Sequence, residues 1–427
     1  MKRGLIAATG VAAMLMSVAA CGSSDSDKGS GDSGSKDGAK GKTLTVWFMD
    51  GSNPAGWTKQ VKDEFEQKTG AKLDIQVQKW DGIQQKLTTA LSESSPPDVF
   101  EVGNTQTPSY AQTGGLADLG DLKKEIGADW TESLNKPSVF EGKQYAAPWW
   151  AANRVVIYNK KVWADAGIKD VPKTRDEFFK DLEAIQKKGD AEPLYLPGQN
   201  WYFFDGLTIG TGADLVKKDG NKYVSNLSDP KVAKAMEIYK QYQSFSKAPK
   251  DKDEATPQQA EVFAKGKTGA FIGMGWEAKT AITANPAIEK DLGFFTIPGE
   301  SADKPEGVFL GGSNLAIAEG SKKQDLAKEF LKIALSDKNE GALAKEVGTI
   351  PNKDSLLANL KGNAAAEAAG PAVKGGGTTP LIPEWAEVEN APNPVKAYMT
   401  AVLNGKSPEE AAKQVEADLN KRLGKKQ

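Results

Sequence analysis

Thr43-Leu44-Thr45-Val46-Trp47-Phe48-Met49 opens a stretch that ends at Asp98-Val99-Phe100-Glu101-Val102, and the apolar periods between those points decide the fold. The first run is dense in β-branched and aromatic residues, which predicts a strand. Trp57, Val61 and Phe65 then recur at i, i+4, i+8, the spacing of one helix face, and Gly70 marks its end. Leu73, Ile75 and Val77 alternate with polar residues as a second strand. Ile83, Leu87 and Leu91 form the stripe of a second helix, Ser94-Ser95-Pro96-Pro97 breaks it, and residues 98–102 make a third strand. Strand, helix, strand, helix, strand predicts an α/β lobe with a largely parallel sheet.

Working outward from there, a second set of alternations begins at Arg154-Val155-Val156-Ile157-Tyr158, followed by a short helix ending at Gly167. Thr174 and Glu177 form a capping box for a helix buried through Phe178, Leu182 and Ile185. Thr256-Pro257-Gln258-Gln259 and Ser407-Pro408-Glu409-Glu410 repeat the start signal of hydroxyl, proline and an acid or amide three residues on. Residues 362–379, rich in Ala and Gly, read as a loose connection. With 427 residues the chain has enough length for two lobes.

On the N-terminal side, Lys2 and Arg3 precede an apolar run from Leu5 to Val18 that is too short to span a bilayer stably. Small residues Ala19 and Ala20 then lead to Cys21, the only cysteine. This is the pattern of a bacterial lipoprotein signal. Residues 1–20 are expected to be a signal peptide, with the mature chain starting at Cys21, lipidated on its sulfur and tethered outside the cell. Residues 21–42 are the lipidated cysteine and a flexible tether, because Gly, Ser, Asp and Lys bury too little apolar area to offset chain entropy. With no second cysteine, the domain must be stable without a disulfide.

Composition excludes more than it identifies. The chain is 39% hydrophobic and 26% charged with a formal net charge of −2, and losing Lys2 and Arg3 makes it −4. No long basic block is present to grip phosphates, so nucleic acid is not an expected partner. The chain has no histidine. That removes Ser-His-Asp and Cys-His chemistry and imidazole metal sites, and neither a metal nor a cofactor is expected. Carboxylate-pair glycoside hydrolysis survives, with Glu101, Glu277 or Glu384 as candidates. Asp251-Lys252-Asp253-Glu254 lacks the glycine and terminal glutamate of a calcium loop and reads as a solvated charge run.

Ten tryptophans remain to be placed. Trp47, Trp57, Trp130 and Trp163 lie in strand or helix patterns and read as core, while Trp80 fits either role. Trp149, Trp150, Trp201, Trp276 and Trp385 fall where a loop meets an element, beside polar residues. Such positions suit sugar recognition, since an indole stacks on the apolar C–H face of a pyranose while Asn, Gln, Asp and Glu meet its hydroxyls. The same positions also suit a protein interface. Gly311-Gly312-Ser313-Asn314 allows close backbone approach, to a ligand, to the other lobe or simply at a strand bend.

Taken together, these motifs resemble family 1 extracellular solute-binding proteins, the sugar-capturing lipoproteins of ABC importers. The resemblance runs from Leu44-Thr45-Val46-Trp47 through Pro97-Asp98-Val99-Phe100, residues 142–148, Tyr158-Asn159-Lys160, residues 263–267 and Gly311-Gly312-Ser313-Asn314. Within the family the chain is similar to actinobacterial N,N'-diacetylchitobiose-binding lipoproteins at Asp50-Gly51, Gln78-Lys79-Trp80, residues 101–105 and residues 196–201. The resemblance implies an α/β fold of the type II periplasmic-binding kind, two lobes joined by a hinge with a ligand cleft between them. It implies residues 43–151 and 308–352 in lobe 1, and 152–307 and 353–427 in lobe 2. Position by position, it implies ligand contacts from Asp50, Asn104, Thr105, Trp149 or Trp150, Gln199, Asn200, Trp201, Trp276, Glu277, Ser313, Asn314 and Trp385. Maltose-type relatives tend to carry aromatic and charged groups where this chain has residues 101–105, which argues for amide-type partners such as N-acetyl groups.

The expected function is therefore a non-enzymatic, monomeric receptor that captures a short chitooligosaccharide by closing its lobes and delivers it to the permease subunits of an ABC importer. Cellobiose, maltose and xylobiose are alternative ligands. A secreted glycosidase and a surface adhesin without a small ligand are the competing classes.

Overall fold

The computed structural model describes residues 39–80 and 82–424. The signal segment, Cys21 and most of the tether lie outside the described residues.

Among the described residues fourteen strands follow in order: β1 (Thr43–Met49), β2 (Lys72–Gln78), β3 (Val99–Gly103), β4 (Val139–Phe140), β5 (Lys143–Gln144), β6 (Ala147–Ala152), β7 (Arg154–Asn159), β8 (Glu192–Tyr195), β9 (Val216–Asp219), β10 (Lys222–Ser225), β11 (Thr268–Met274), β12 (Leu292–Phe295), β13 (Gly311–Ile317) and β14 (Ile350–Pro351). One six-stranded sheet has the order β14-β6-β13-β3-β1-β2, and a four-stranded sheet has the order β12-β7-β11-β8. Each is the centre of one lobe.

The helix Ala55–Thr69 buries Trp57, Val61 and Phe65, as its period requires, and ends at Gly70 with a left-handed φ of 74°. It covers the first sheet, where Phe48, Trp57 and Phe330 join Leu44, Val46, Val99 and Leu315 in an apolar core. The second lobe's core gathers Val156, Leu194, Phe203 and Tyr239 with Trp385, Tyr398 and Val415 from the C-terminal helices. Both capping boxes, Thr174 with Glu177 and Ser407 with Glu410, are formed.

Four expectations need correction. The sheets are mixed: β1 pairs parallel with β2 and β3, but β13 runs antiparallel to β3 and β6. Strands that carry the chain out of a lobe and back into it run in opposite senses, so they need no parallel crossover. The start signal at Thr256 is not used. The helix begins at Gln259 with Gln258 as cap, accepting a hydrogen bond from the Ala260 N–H. Residues 362–379 hold a helix, Ala364–Ala369, and a 3-10 turn, because Asn363 caps the alanine run. Trp47 is only partly buried: it packs at the margin of the cluster of Met49, Ile83 and Leu87, donates its indole N–H to Gln76 and carries the Lys86 ammonium 5.1 Å from its ring centre.

Candidate functional site

Strand direction places the site. β1, β2 and β3 end together at Met49, Gln78 and Gly103, and the antiparallel β13 begins, and β6 ends, at that same edge. Only Asn153 separates β6 from β7, whose first residue, Arg154, lies opposite Met274 at the end of β11. The parallel β8 ends at this edge too. The carboxyl ends of the parallel strands of both sheets thus meet across one crossing, the location where open α/β sheets bind ligands.

The lobe 1 edge carries Asp50, exposed after β1, with its N–H bonded to the Gln78 carbonyl at 2.7 Å. Asn104 and Thr105 follow β3 in a 3-10 turn. Asn104 donates to the Leu310 carbonyl at 2.8 Å, and the Thr105 hydroxyl donates to Glu389 at 3.2 Å. Trp80, after β2, is 43% exposed and borders Gly103.

The lobe 2 edge is an aromatic tier completed by Phe309, which lies on the returning chain just before β13. Trp201 lies 6.4 Å from Trp385 and 4.0 Å from Tyr202, and Tyr202 stacks on Phe309 at 4.5 Å with 20° between planes. Arg154 sits over the Tyr202 ring at 5.4 Å and pairs with Glu254 at 2.6 Å. Trp276 stands 57% exposed just past β11. Gln199 is partly buried and donates to Thr400 at 3.0 Å.

Several predicted contact residues have structural duties instead. Trp149 is fully buried, 5.0 Å from Phe48 and 5.3 Å from Trp57, because alternation along β6 turns it into the lobe 1 core. Trp150, its neighbour, is only partly buried. Asn200 is buried and caps the helix Trp201–Thr211 by accepting from the Phe203 N–H. Trp385 is buried in the lobe 2 core and donates its indole N–H to Glu389 at 3.1 Å. Glu277 is held by Gln259 at 2.9 Å and by the Met274 N–H at 2.7 Å. Ser313 donates to Glu101 at 2.5 Å, and Asn314 to Thr107 at 2.9 Å. Glycine at 312 is required because a Cβ there would strike the Trp150 carbonyl, so the close approach is between strands.

Sequence reasoning missed Arg154, Tyr202, Asp205, Glu254, Phe309 and Glu389. Glu254, read as part of a solvated run, is the partner of Arg154, 100 residues away. Burial raises the carboxyls of the site. Asp205 rises to about 8, first from desolvation and then from the negative charge of Glu389. Glu389 rises to about 7 from desolvation, against the lowering effect of Thr105 and Trp385. Glu277 rises to about 6, again from desolvation. The Arg154 Nε and the second Asp205 oxygen are buried without a hydrogen-bond partner. Flat rings beside such polar atoms can hold a ligand with apolar faces and a polar rim. Among the described residues no group of His, Cys, Asp or Glu could hold a metal, and no helix is long and apolar enough to cross a membrane.

Residues 50–341 match the family of bacterial extracellular solute-binding proteins, and the chain belongs to that family. It is thus a solute-binding protein and not an enzyme. At 71% identity over 427 residues, covering all of both chains, it is similar to the diacetylchitobiose binding protein DasA of Streptomyces coelicolor. It is 24% identical over 404 residues to the galactooligosaccharide-binding protein of Bacillus subtilis, covering 93% of this chain and 91% of that one. Among solved structures, the GacH receptor of Streptomyces glaucescens matches with TM-score 0.75 and 25% identity, covering 90% of this chain and all of that one. The sugar-binding protein MalE of Xanthomonas citri matches with TM-score 0.78 and 22% identity, covering 90% and 97%. These likenesses fit the two-lobe type II fold.

Proposed function

We propose that this chain captures N,N'-diacetylchitobiose or a short chitooligosaccharide in the cleft between its lobes and hands it to the permease of an ABC importer. The observation that carries this reading is the full-length 71% identity to a diacetylchitobiose binding protein. The site supports it through the aromatic tier on one lobe facing the polar edge of Asp50, Asn104 and Thr105 on the other. Lobe 1 comprises residues 43–151 and 308–352, and lobe 2 residues 152–307 and 353–427. Sugar stabilises closure by touching both edges.

In this reading the ligand is contacted by Asp50, Asn104, Thr105, Trp150, Gln199, Trp201 and Trp276, joined by Trp80, Tyr202 and Arg154. Asn200, Glu277, Ser313, Asn314 and Trp385 shape the walls behind them. The monomeric receptor is anchored by lipid on Cys21, and the tether keeps it at high local concentration near the permease.

Isothermal calorimetry with N,N'-diacetylchitobiose, chitotriose, cellobiose, maltose and xylobiose tests the ligand. Heat with the chitooligosaccharides supports the reading. Silence with every sugar overturns it, and heat with maltose alone overturns only the assignment of the sugar. Cys21→Ser should release the protein from the membrane fraction into the medium; retention would remove the anchor.

A further inference from the structure

Glu101 occupies a position where its strand pattern calls for an apolar side chain. It lies on β3 between β1 and β13, two residues from Val99, which packs in the lobe 1 core on the same face. It is fully buried, yet β1, β3 and β13 contribute no other charged side chain, and Asp50, in the adjoining loop, is exposed. A carboxylate buried without a cation is costly and persists only where donors converge on it. Three do so: the Met49 N–H at 2.7 Å and the Ser52 hydroxyl at 2.8 Å, with the Ser313 hydroxyl at 2.5 Å.

Those donors come from the end of β1, from the loop after it and from the start of β13. The loop between them contains Asp50 and turns at Gly51, whose φ is 88°. Its backbone is fastened by Asp50 to Gln78 and by the Ser52 N–H to Met49, and the Ser52 side chain fastens it to the sheet interior.

We propose that Glu101 is the positioning residue of the lobe 1 edge: its carboxylate clips the Asp50 loop to β3 and β13 and thereby sets where that loop meets the sugar. The assignment rests on reading this edge as a sugar-binding edge. As an ionised group Glu101 can accept from all three donors at once. Once protonated it must donate as well, so one of the three bonds is lost or a serine hydroxyl must turn. Burial raises its carboxyl to about 7, against the lowering effect of the Ser313, Met49 and Ser52 bonds, so the change falls within the neutral range.

The test combines hydrogen exchange on the unliganded protein with calorimetry against N,N'-diacetylchitobiose. In Glu101→Gln, amides 50–53 should exchange about tenfold faster and the Kd should rise about tenfold, the scale of one bond to a charged group. Wild-type affinity should weaken as pH falls from 8 to 6. The part of that slope due to Glu101 should vanish in Glu101→Gln and persist in Glu389→Gln, whose carboxyl titrates separately on lobe 2. Ser52→Ala should shift exchange and Kd in the same direction by a smaller factor. If Glu101→Gln fails to fold, Ser52→Ala and Ser313→Ala carry both measurements. Unchanged loop exchange in the folded variants overturns the clip, as does an unaltered Kd with the wild-type pH slope. If the wild type binds none of the sugars, the ligand reading fails while loop exchange still decides the role of Glu101.

Discussion

Trp149 and Trp150 are adjacent in sequence and opposite in role. The first fills the lobe 1 core and the second lies at its margin, since side chains on a strand alternate between faces. Trp149→Ala should cost about 3–5 kcal/mol of stability by leaving a large cavity, read as a lower denaturation midpoint. Trp276 is the converse case. More than half exposed at the cleft edge, it should lose about 1–3 kcal/mol of sugar affinity as Trp276→Ala with the denaturation midpoint unmoved. An unchanged Kd would take Trp276 out of the site. Local sequence does not separate these indoles, because each follows a residue that bends or ends an element, Pro148 before Trp149 and Gly275 before Trp276. What separates them is which face of a strand or turn is covered from the other side.

At the scale of elements, local signals are the most readable. The helix Ala55–Thr69, the capping boxes at Thr174 and Ser407 and the strand β1 all follow from periods and caps within a dozen residues. Ser407→Ala should therefore cost about 1 kcal/mol, measured by denaturant unfolding, through loss of the cap to the Glu410 N–H. Pairings between distant elements are not readable in this way. The helix Trp201–Thr211 lies so close to the lobe connection that a Cβ on Gly307 would meet the Gly206 carbonyl and the Gly210 N–H. Gly307→Ala should lower stability by about 1–3 kcal/mol, the usual cost of overpacking, and a neutral result would show that the connection is loosely seated. The same limit explains the mixed sheets, since strand direction depends on when the chain crosses between lobes.

For the whole molecule the raised carboxyls act together. Glu101, Asp205, Glu277 and Glu389 hold protons more tightly when folded than when unfolded, mainly through desolvation. Stability from such groups is complete below their unfolded range and is lost as pH rises through about 6 to 8, at roughly 1.4 kcal/mol for each tenfold tightening of proton binding in a buried group. The thermal midpoint should thus stand several degrees higher near pH 5 than near pH 8.5, and a midpoint that climbs with pH would contradict it. Thr105 and Glu389, 284 residues apart, join the two lobes directly. Thr105→Val should weaken closure, seen as a smaller sugar-induced decrease in the radius of gyration by X-ray scattering.

By itself the sequence determined the main periods, the caps at Thr174 and Ser407 and the absence of histidine chemistry, because each depends on residues close in the chain or on composition, while the two-lobe class followed from the order of motifs that resemble a known family. Only the tertiary structure decided which tryptophans are walls and which are core, and that Arg154 meets Glu254 and Thr105 meets Glu389. Burial and pairing depend on what arrives from elsewhere in the chain, and no local pattern carries that information. The stretch from Thr43 to Val102 announced the lobe, while the buried carboxylate near its end acquired a role only when β13 and the Ser52 loop closed around it.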